Sequence, residues 1–306
     1  MKRALITGIS GFVGRHLRDE LIREGWTVFG FDIRPAGEHI FVGDLSDRAA
    51  LTRAMAGCQP DVVFHLAGII KSTDSEAYYK SNLFGTLNLL DAVVQMEKRP
   101  KIVLASSSAV YGLTKSARPI TERSPLRPVT EYAVSKVAQE TATLRYHYAF
   151  GLDVVIVRMF NLLGPGQSRD LACSAFARQI ALAEISEQNE IVTGNLDAKR
   201  DFVDVRDAAR AFALLAEKGE AGQTYNVCSG NAVAIQQCLS EMILRSKKQL
   251  SARVDPARVQ KNDVPVQIGS FQKLQKAAGW NPRIPLHESL ADLLNDWRER
   301  VKVESK

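Results

Sequence analysis

The chain is poor in sulfur and has neither a long apolar run nor a block of one charge. Its four cysteines, Cys58, Cys173, Cys228 and Cys238, show no Cys-x-x-Cys spacing and no clustering with histidine. That pattern argues against a zinc site and against a disulfide framework, so no metal is expected. No apolar stretch approaches the ~18 residues of a membrane span. Ala4-Leu5-Ile6, interrupted by Thr7 and Gly8, is too short for the core of a signal peptide. A protein of the reducing cytoplasm, neither exported nor membrane-spanning, is expected. The net charge is +6, yet Lys and Arg are scattered. No nucleic-acid partner is therefore expected, and an anionic small molecule explains the surplus equally well. Internal repeats and low-complexity segments are also absent.

What remains is an ordinary globular composition, 45% hydrophobic and 24% charged, in 306 residues. That length suits a well-buried core and two lobes. Short apolar runs at 4–7, 28–32, 40–42, 62–66, 102–106 and 154–159 read as strands, with helices near 12–23, 47–55, 76–97 and 131–150. Near-continuous apolar strands alternating with helices predict an α/β fold, a doubly wound parallel sheet of Rossmann type buried on both faces. After Asn161 the alternation becomes irregular, with helices near 172–184, 205–217, 235–246, 271–278 and 286–301 and strands near 191–193 and 200–203. The expected division is a dinucleotide-binding domain at 1–163, its sheet completed by parts of 200–230. A smaller α/β lobe, mainly substrate-binding, is expected at 164–306.

Two motifs carry the chemistry. Thr7-Gly8-Ile9-Ser10-Gly11-Phe12-Val13-Gly14 lies where a strand gives way to a helix, the context of a dinucleotide fingerprint. Gly8 permits the turn, Gly11 admits the pyrophosphate and Gly14 lets the helix pack on the strand, with the helix N-terminus facing the phosphates. Asp32 closes the next strand, near the spacing at which an acid reads the adenosine ribose, while Arg34 offers a 2′-phosphate partner. NAD(H) is favoured and NADP(H) admitted. Asp44 is either an adenine neighbour or a turn aspartate.

The second motif is Tyr132-Ala133-Val134-Ser135-Lys136, which puts a phenol and an ammonium on one helical face. Bringing a tyrosine from about 10 to about 7 takes roughly 4 kcal/mol. One cation about 4 Å away at an effective dielectric near 20 supplies roughly that much. The pair predicts a tyrosine general acid beside a hydride donor. Tyr111 and Tyr146 lack a lysine at i+4 and read as packing residues.

Together with His65-Leu66-Ala67-Gly68, Ser81-Asn82-Leu83-Phe84-Gly85-Thr86 and Val110-Tyr111-Gly112, these motifs resemble the extended, sugar-nucleotide branch of the short-chain dehydrogenase/reductase superfamily over essentially the whole chain. The resemblance implies Ser107 as the third catalytic group beside Tyr132 and Lys136. It also adds Ser10, Phe12, Val13, Leu45, Leu66, Ala67 and Asn82 to the cofactor residues. Relatives that dehydrate sugars carry an Asp-Glu pair after the catalytic Ser or Thr, where this chain has Ser108 and Ala109, which disfavours a 4,6-dehydratase.

Phe160–Gly166, Gly194–Asp207, Tyr225–Gly230 and Gly279–Leu286 are similar to the GDP-4-dehydro-6-deoxy-D-mannose reductase group. That likeness implies Asn161 and Arg200 at the nucleotide diphosphate, with Ser108 near the sugar. Arg200 otherwise pairs with Asp201 or Asp204. A second diphosphate arginine is replaced by Gln260, leaving Arg258 or Lys261 as substitutes. The expected activity is NAD(P)H-dependent reduction of a nucleotide-linked 4-keto-6-deoxyhexose. A UDP-hexose 4-epimerase and a non-catalytic NAD-binding scaffold are the competing readings. Leu83, Leu87 and Leu90 suggest surplus apolar surface, and the resemblance implies a homodimer through a four-helix interface. Ordinary core packing is the alternative for those leucines.

Overall fold

The computed structural model describes residues 1–35, 37–113, 118–258 and 264–304. Its elements in chain order begin with β1 (Arg3–Thr7), α1 (Phe12–Arg23), β2 (Thr27–Asp32), β3 (Ile40–Val42), α2 (Arg48–Cys58) and β4 (Val62–His65). Next come α3 (Ser75–Tyr78), a π-helical turn (Tyr79–Phe84), α4 (Gly85–Val94), β5 (Lys101–Ser107) and α5 (Glu131–Phe150). The second half holds β6 (Val154–Met159), β7 (Asn161–Leu163), α6 (Ala172–Ala183), β8 (Glu190–Thr193), β9 (Lys199–Asp204) and α7 (Val205–Lys218). It ends with β10 (Gln223–Val227), β11 (Ala232–Ala234), α8 (Ile235–Leu244), β12 (Ser251–Val254), β13 (Val266–Gln267), α9 (Gln272–Ala278) and α10 (Leu286–Glu304).

Seven parallel strands form the large sheet in the order β10-β6-β5-β4-β1-β2-β3. Period-two burial explains why its strands are apolar on both sides. Ala4 and Ile6 enter the core beneath α1 and α7, while Leu5 enters the opposite core with Leu51, Leu89 and Val93. The strand order reverses between β1 and β4, so the crevice for ligands opens at their carboxyl ends.

The remaining strands form a sheet in which β9 pairs with β7, β11 and β13, and a two-stranded sheet of β8 and β12. α6, α8 and α10 enclose a separate core of Phe176, Ile180, Leu239, Met242, Leu293 and Trp297. β10 belongs to the large sheet, and α7 packs on α1 against it. All four cysteines are buried free thiols. Among the described residues, no helix is long and apolar enough to cross a membrane.

Three differences from the sequence expectations bear on the site. The single helix expected at 76–97 is broken by the π-turn, an irregularity frequent at functional sites. Strand β10, with polar Gln223, Thr224 and Asn226, lacks an apolar run. Leu90 is fully buried in the core beside Leu89 and Val93, so it provides no spare interface surface.

Candidate active site

The glycine loop has the constraints its sequence implies. Gly8 sits at φ +74°, and a Cβ there would meet Ala67 Cα at 2.9 Å. A Cβ on Gly14 would lie 2.3 Å from the Gly8 carbonyl oxygen, so any larger residue separates helix from strand. Asp47 caps α2, Thr130 caps α5 and Asp204 caps α7 with their side chains, whereas α6 and α9 begin without such a cap. Gly11, which has no side chain to offer, starts α1 without one, leaving its first N–H groups for an anion. The Ser10 hydroxyl oxygen is buried without a partner, a second donor site seeking an acceptor. Phe12 and Val13 form the first turn of α1.

Asp32 is 7% exposed. Its carboxylate accepts the Ser10 N–H at 3.0 Å and the Arg34 N–H at 3.1 Å. The exposed Arg34 guanidinium lies 3.9 Å away. A cavity of about 740 Å³ is lined by Gly8, Gly11, Asp32, Arg34, Asp44, Leu45, Leu66 and Ala67. Asp44 lines that cavity and, as a turn aspartate, accepts the Ser46 N–H at 2.8 Å. These residues fit a dinucleotide: a pyrophosphate at the loop, a ribose at Asp32 and an apolar wall for the adenine.

Asn82 stands apart from that cavity. It is wholly buried in the π-turn. Its oxygen accepts the Ile69 N–H at 2.9 Å, and its nitrogen donates to the Ile69 carbonyl at 3.1 Å and to Ser135 Oγ at 3.0 Å. Ser135 in turn donates to the Tyr132 carbonyl at 2.8 Å. Asn82 thus ties the loop after β4 to the helix that carries the tyrosine.

At the end of β5 the Ser107 hydroxyl lies beside the Tyr132 phenol, and its oxygen accepts the Ala109 N–H at 3.1 Å. Burial raises the Tyr132 pKa, and the neighbouring Ser107 hydroxyl offsets this only in part. The direction is opposite to the lowering expected from Lys136. The cause is desolvation of the phenolate; the Lys136 ammonium itself is bound by the Ala105 carbonyl at 2.6 Å and by Gln139 Oε1. Burial also brings the Lys136 pKa down to about 8, against an upward pull from Glu140. At neutral pH the phenol is therefore in its acid form and the lysine is a cation.

Ser108, expected near the sugar, is 5% exposed. Its hydroxyl bonds Gln267 Oε1 at 3.4 Å, and the Gln267 amide donates to its carbonyl at 3.1 Å. Tyr111 is a core residue bonded to Asn226 at 2.7 Å and to Arg158 at 3.0 Å. Tyr146 bonds Asp91.

A second cavity, about 570 Å³, is lined by Asn161, Arg200 and Arg258 together with Gln167, Thr193 and Phe176. Arg200 donates to the Val264 carbonyl at 2.5 Å. The carboxylates suggested as its partners are engaged elsewhere: Asp201 accepts the N–H groups of Ser229, Gly230 and Gly269, and Asp204 pairs with Arg206. Arg258 bonds the Val192 carbonyl at 3.0 Å. Lys261 lies outside the described residues. Lys71 and Asp170 form an ion pair of 3.1 Å joining the loop after β4 to this cavity's rim.

Sequence reasoning missed Gln139 and the Glu140–Arg158 pair beneath the triad. Two signals were available. Gln139 and Glu140 fall at i+3 and i+4 from Lys136, and Arg158 is a lone charge inside an apolar strand.

With this geometry in place, the comparisons with known proteins decide the family. Residues 5–293 match the family model described as GDP-mannose 4,6 dehydratase. The chain belongs to that family. Like the relatives it matches, it is an NAD(P)-dependent enzyme of oxidoreductase type in the extended short-chain dehydrogenase/reductase class. It is 35% identical to GDP-6-deoxy-D-mannose reductase of Pseudomonas aeruginosa over 99% of both chains. The structure of RMD from Pseudomonas aeruginosa complexed with NADPH matches with a TM-score of 0.89 at 34% identity, covering 98% of this chain and 100% of that one. UDP-glucose 4-epimerase of Thermus thermophilus, solved with NAD, matches with a TM-score of 0.87 at 29% identity, covering 97% and 99%.

Proposed function

We propose that the protein reduces the C4 keto group of a nucleotide-linked 4-keto-6-deoxyhexose, converting GDP-4-dehydro-6-deoxy-D-mannose to GDP-D-rhamnose with NADH or NADPH. What carries this reading is the Tyr132 phenol, kept in its acid form by burial, beside a strand end where Ser106-Ser107-Ser108 offers hydroxyls and no carboxyl group. Ser108 and Ala109 occupy the positions where sugar dehydratases of this class carry carboxyl groups. Glu140, beneath the end of β5, is engaged by Arg158, so it is no base for a C5 proton. The resemblance to the Pseudomonas reductase supports the choice of GDP.

When bound, the dinucleotide supplies the hydride. The chain's own residues do the rest. Ser107 orients the substrate oxygen, and Tyr132 gives its proton to that oxygen as negative charge develops there. Lys136, held cationic, stabilises the phenolate that Tyr132 becomes. The glycine loop and the α1 N-terminus hold the pyrophosphate, and Asp32 holds the ribose. Asn161, Arg200 and Arg258 bind the nucleotide diphosphate of the substrate, where guanidinium groups suit a bidentate anion.

On this reading residues 1–163 with β10 form the cofactor domain, and 164–306 mainly form the sugar-nucleotide lobe. The protein works in the cytoplasm, which suits its free thiols. It forms a homodimer through α3–α4 and α5, where Phe84 and Val134 are 55% and 38% exposed.

A panel of GDP-, UDP- and dTDP-linked 4-keto-6-deoxyhexoses, followed by cofactor oxidation at 340 nm, tests the assignment. GDP substrates are expected to be preferred. Turnover confined to UDP or dTDP sugars removes the GDP assignment and leaves the reductase class. The likeness to the Thermus epimerase supports a second reading, which tightly retained NAD after purification would favour.

A further inference from the structure

Beneath the triad runs a buried polar chain that the proposed chemistry does not use. Thr7 ends β1, His65 ends β4, Thr86 lies in the first turn of α4, and Gln139 follows Lys136 on α5. Their exposures are 0%, 1%, 1% and 0%. Polar groups this deep cost stability unless each is bonded. Here each is.

The count of protons closes in one direction. The Thr86 hydroxyl donates to the Asn82 carbonyl at 2.6 Å. Toward Gln139 Nε2 at 2.6 Å and His65 Nε2 at 2.8 Å it is therefore the acceptor. His65 then carries its proton on Nε2, and its bare Nδ1 accepts the Thr7 hydroxyl at 2.7 Å. Thr7 itself accepts the Ala67 N–H at 3.2 Å. Burial, aided by the nearby Lys136 charge, holds the imidazole pKa down at about 3, so His65 stays neutral. The amide nitrogen of Gln139 is thus committed to Thr86, and its carbonyl oxygen is presented to Lys136.

An ammonium has three protons to give. Lys136 directs one to the Ala105 carbonyl and one to Gln139 Oε1, which leaves the third for a group entering from the cleft. We propose that Gln139, fixed in orientation by Thr86 and His65, is a positioning residue that keeps the Lys136 ammonium charged and aims its third proton at the cleft. The proposal rests on the reading that Lys136 serves the reaction.

The titratable and charged groups around Lys136 are few. Tyr132 and Glu140 lie on α5 and His65 on β4; Arg158 on β6 pairs with Glu140, and Tyr78 of α3 acts on Tyr132. Glu140 favours the charged lysine but is already shared with Arg158. The amide oxygen of Gln139 is a direct acceptor that a buried cation needs.

The test is a pH titration of the Lys136 side-chain nitrogen by NMR in cofactor-free, ¹⁵N-lysine-labelled protein, with the resonance assigned by its loss in Lys136→Arg. In Gln139→Met, which keeps length and removes the acceptor, the midpoint is expected to fall by about one pH unit or more below that of the parent. In Gln139→Glu, which supplies a charge, it is expected to rise. The alkaline limb of kcat should move in the same two directions, which a merely structural glutamine would not cause. If Gln139→Met does not fold, the Glu variant alone decides the direction. An unmoved midpoint in a folded variant overturns the proposal, even if kcat falls. The NMR measurement needs no substrate, so absence of turnover with every keto sugar would count against the proposed function and not against this assignment.

Discussion

Removing the guanidinium beneath the active site is expected to be among the costlier single changes in this chain. Arg158 and Glu140 are an ion pair with side chains 7% and 4% exposed. Glu140 accepts from Arg158 Nε at 2.9 Å and Nη2 at 2.6 Å, and from Ser106 Oγ at 2.5 Å. Arg158 also donates to Tyr111 at 3.0 Å and lies 4.9 Å above its ring. Arg158→Met fills the space but leaves a carboxylate with one hydroxyl donor in a dry site. Breaking one side of a buried pair costs about 3–5 kcal/mol. Arg158→Met with Glu140→Met removes the orphaned charge and should recover part of the loss, although the Ser106 hydroxyl then lacks a partner at about 1–3 kcal/mol, while Tyr111 keeps Asn226. Urea denaturation of the parent, both single variants and the double variant gives the coupling directly. A loss below about 1 kcal/mol for Arg158→Met, or strict additivity in the cycle, would refute the view that these charges depend on one another.

Tyr132→Phe should lower kcat about a hundredfold or more while the cofactor dissociation constant stays near that of the parent, because the ring still packs but carries no proton. The pH profile of reduction should decline as pH rises through about 8, where Lys136 loses its proton. Tyr132, shifted upward, stays in its acid form across that range. A decline set only near pH 10 or above would contradict this assignment. Asp32→Ala should shift the ratio of kcat/KM values toward NADPH by about tenfold or more, since a charge-assisted ribose contact is lost together with repulsion of a 2′-phosphate. An unchanged ratio would show that Asp32 does not read the ribose.

The parts of the fold that were legible in the sequence are those written in local pattern. Val154-Val155-Ile156-Val157 is fully buried as its apolar run implies, and α1 and α5 span the ranges expected from their flanking signals. The π-turn was not legible, because residues 76–97 keep helical periodicity and the extra residue is stabilised by the contacts of Asn82 with Ile69 and Ser135. A strand from 200–230 was expected to complete the sheet, but the exact run of β10 was not legible, for a similar reason. Its Asn226 is buried only because Tyr111 and the Ile120 carbonyl reach it across more than a hundred residues of sequence. At the site, spacing located Tyr132 and Lys136 on one helix but gave the wrong sign for the tyrosine. Spacing records which groups share a face, whereas desolvation depends on what the tertiary structure folds over them. Gln139 illustrates the same limit: its i+3 position is visible, but the Thr86–His65–Thr7 chain that orients it comes from three other elements.

The most direct test of the central claim is to follow the hydride itself. Purified protein is given GDP-4-dehydro-6-deoxy-D-mannose with NADH or NADPH deuterated at the transferring position of the nicotinamide, and the product is analysed by NMR. The account predicts consumption of cofactor in equal amount to sugar, a GDP-6-deoxyhexose product, and deuterium at C4. An unconsumed cofactor, a product without deuterium at C4, or conversion of UDP-glucose to UDP-galactose without added cofactor would contradict it.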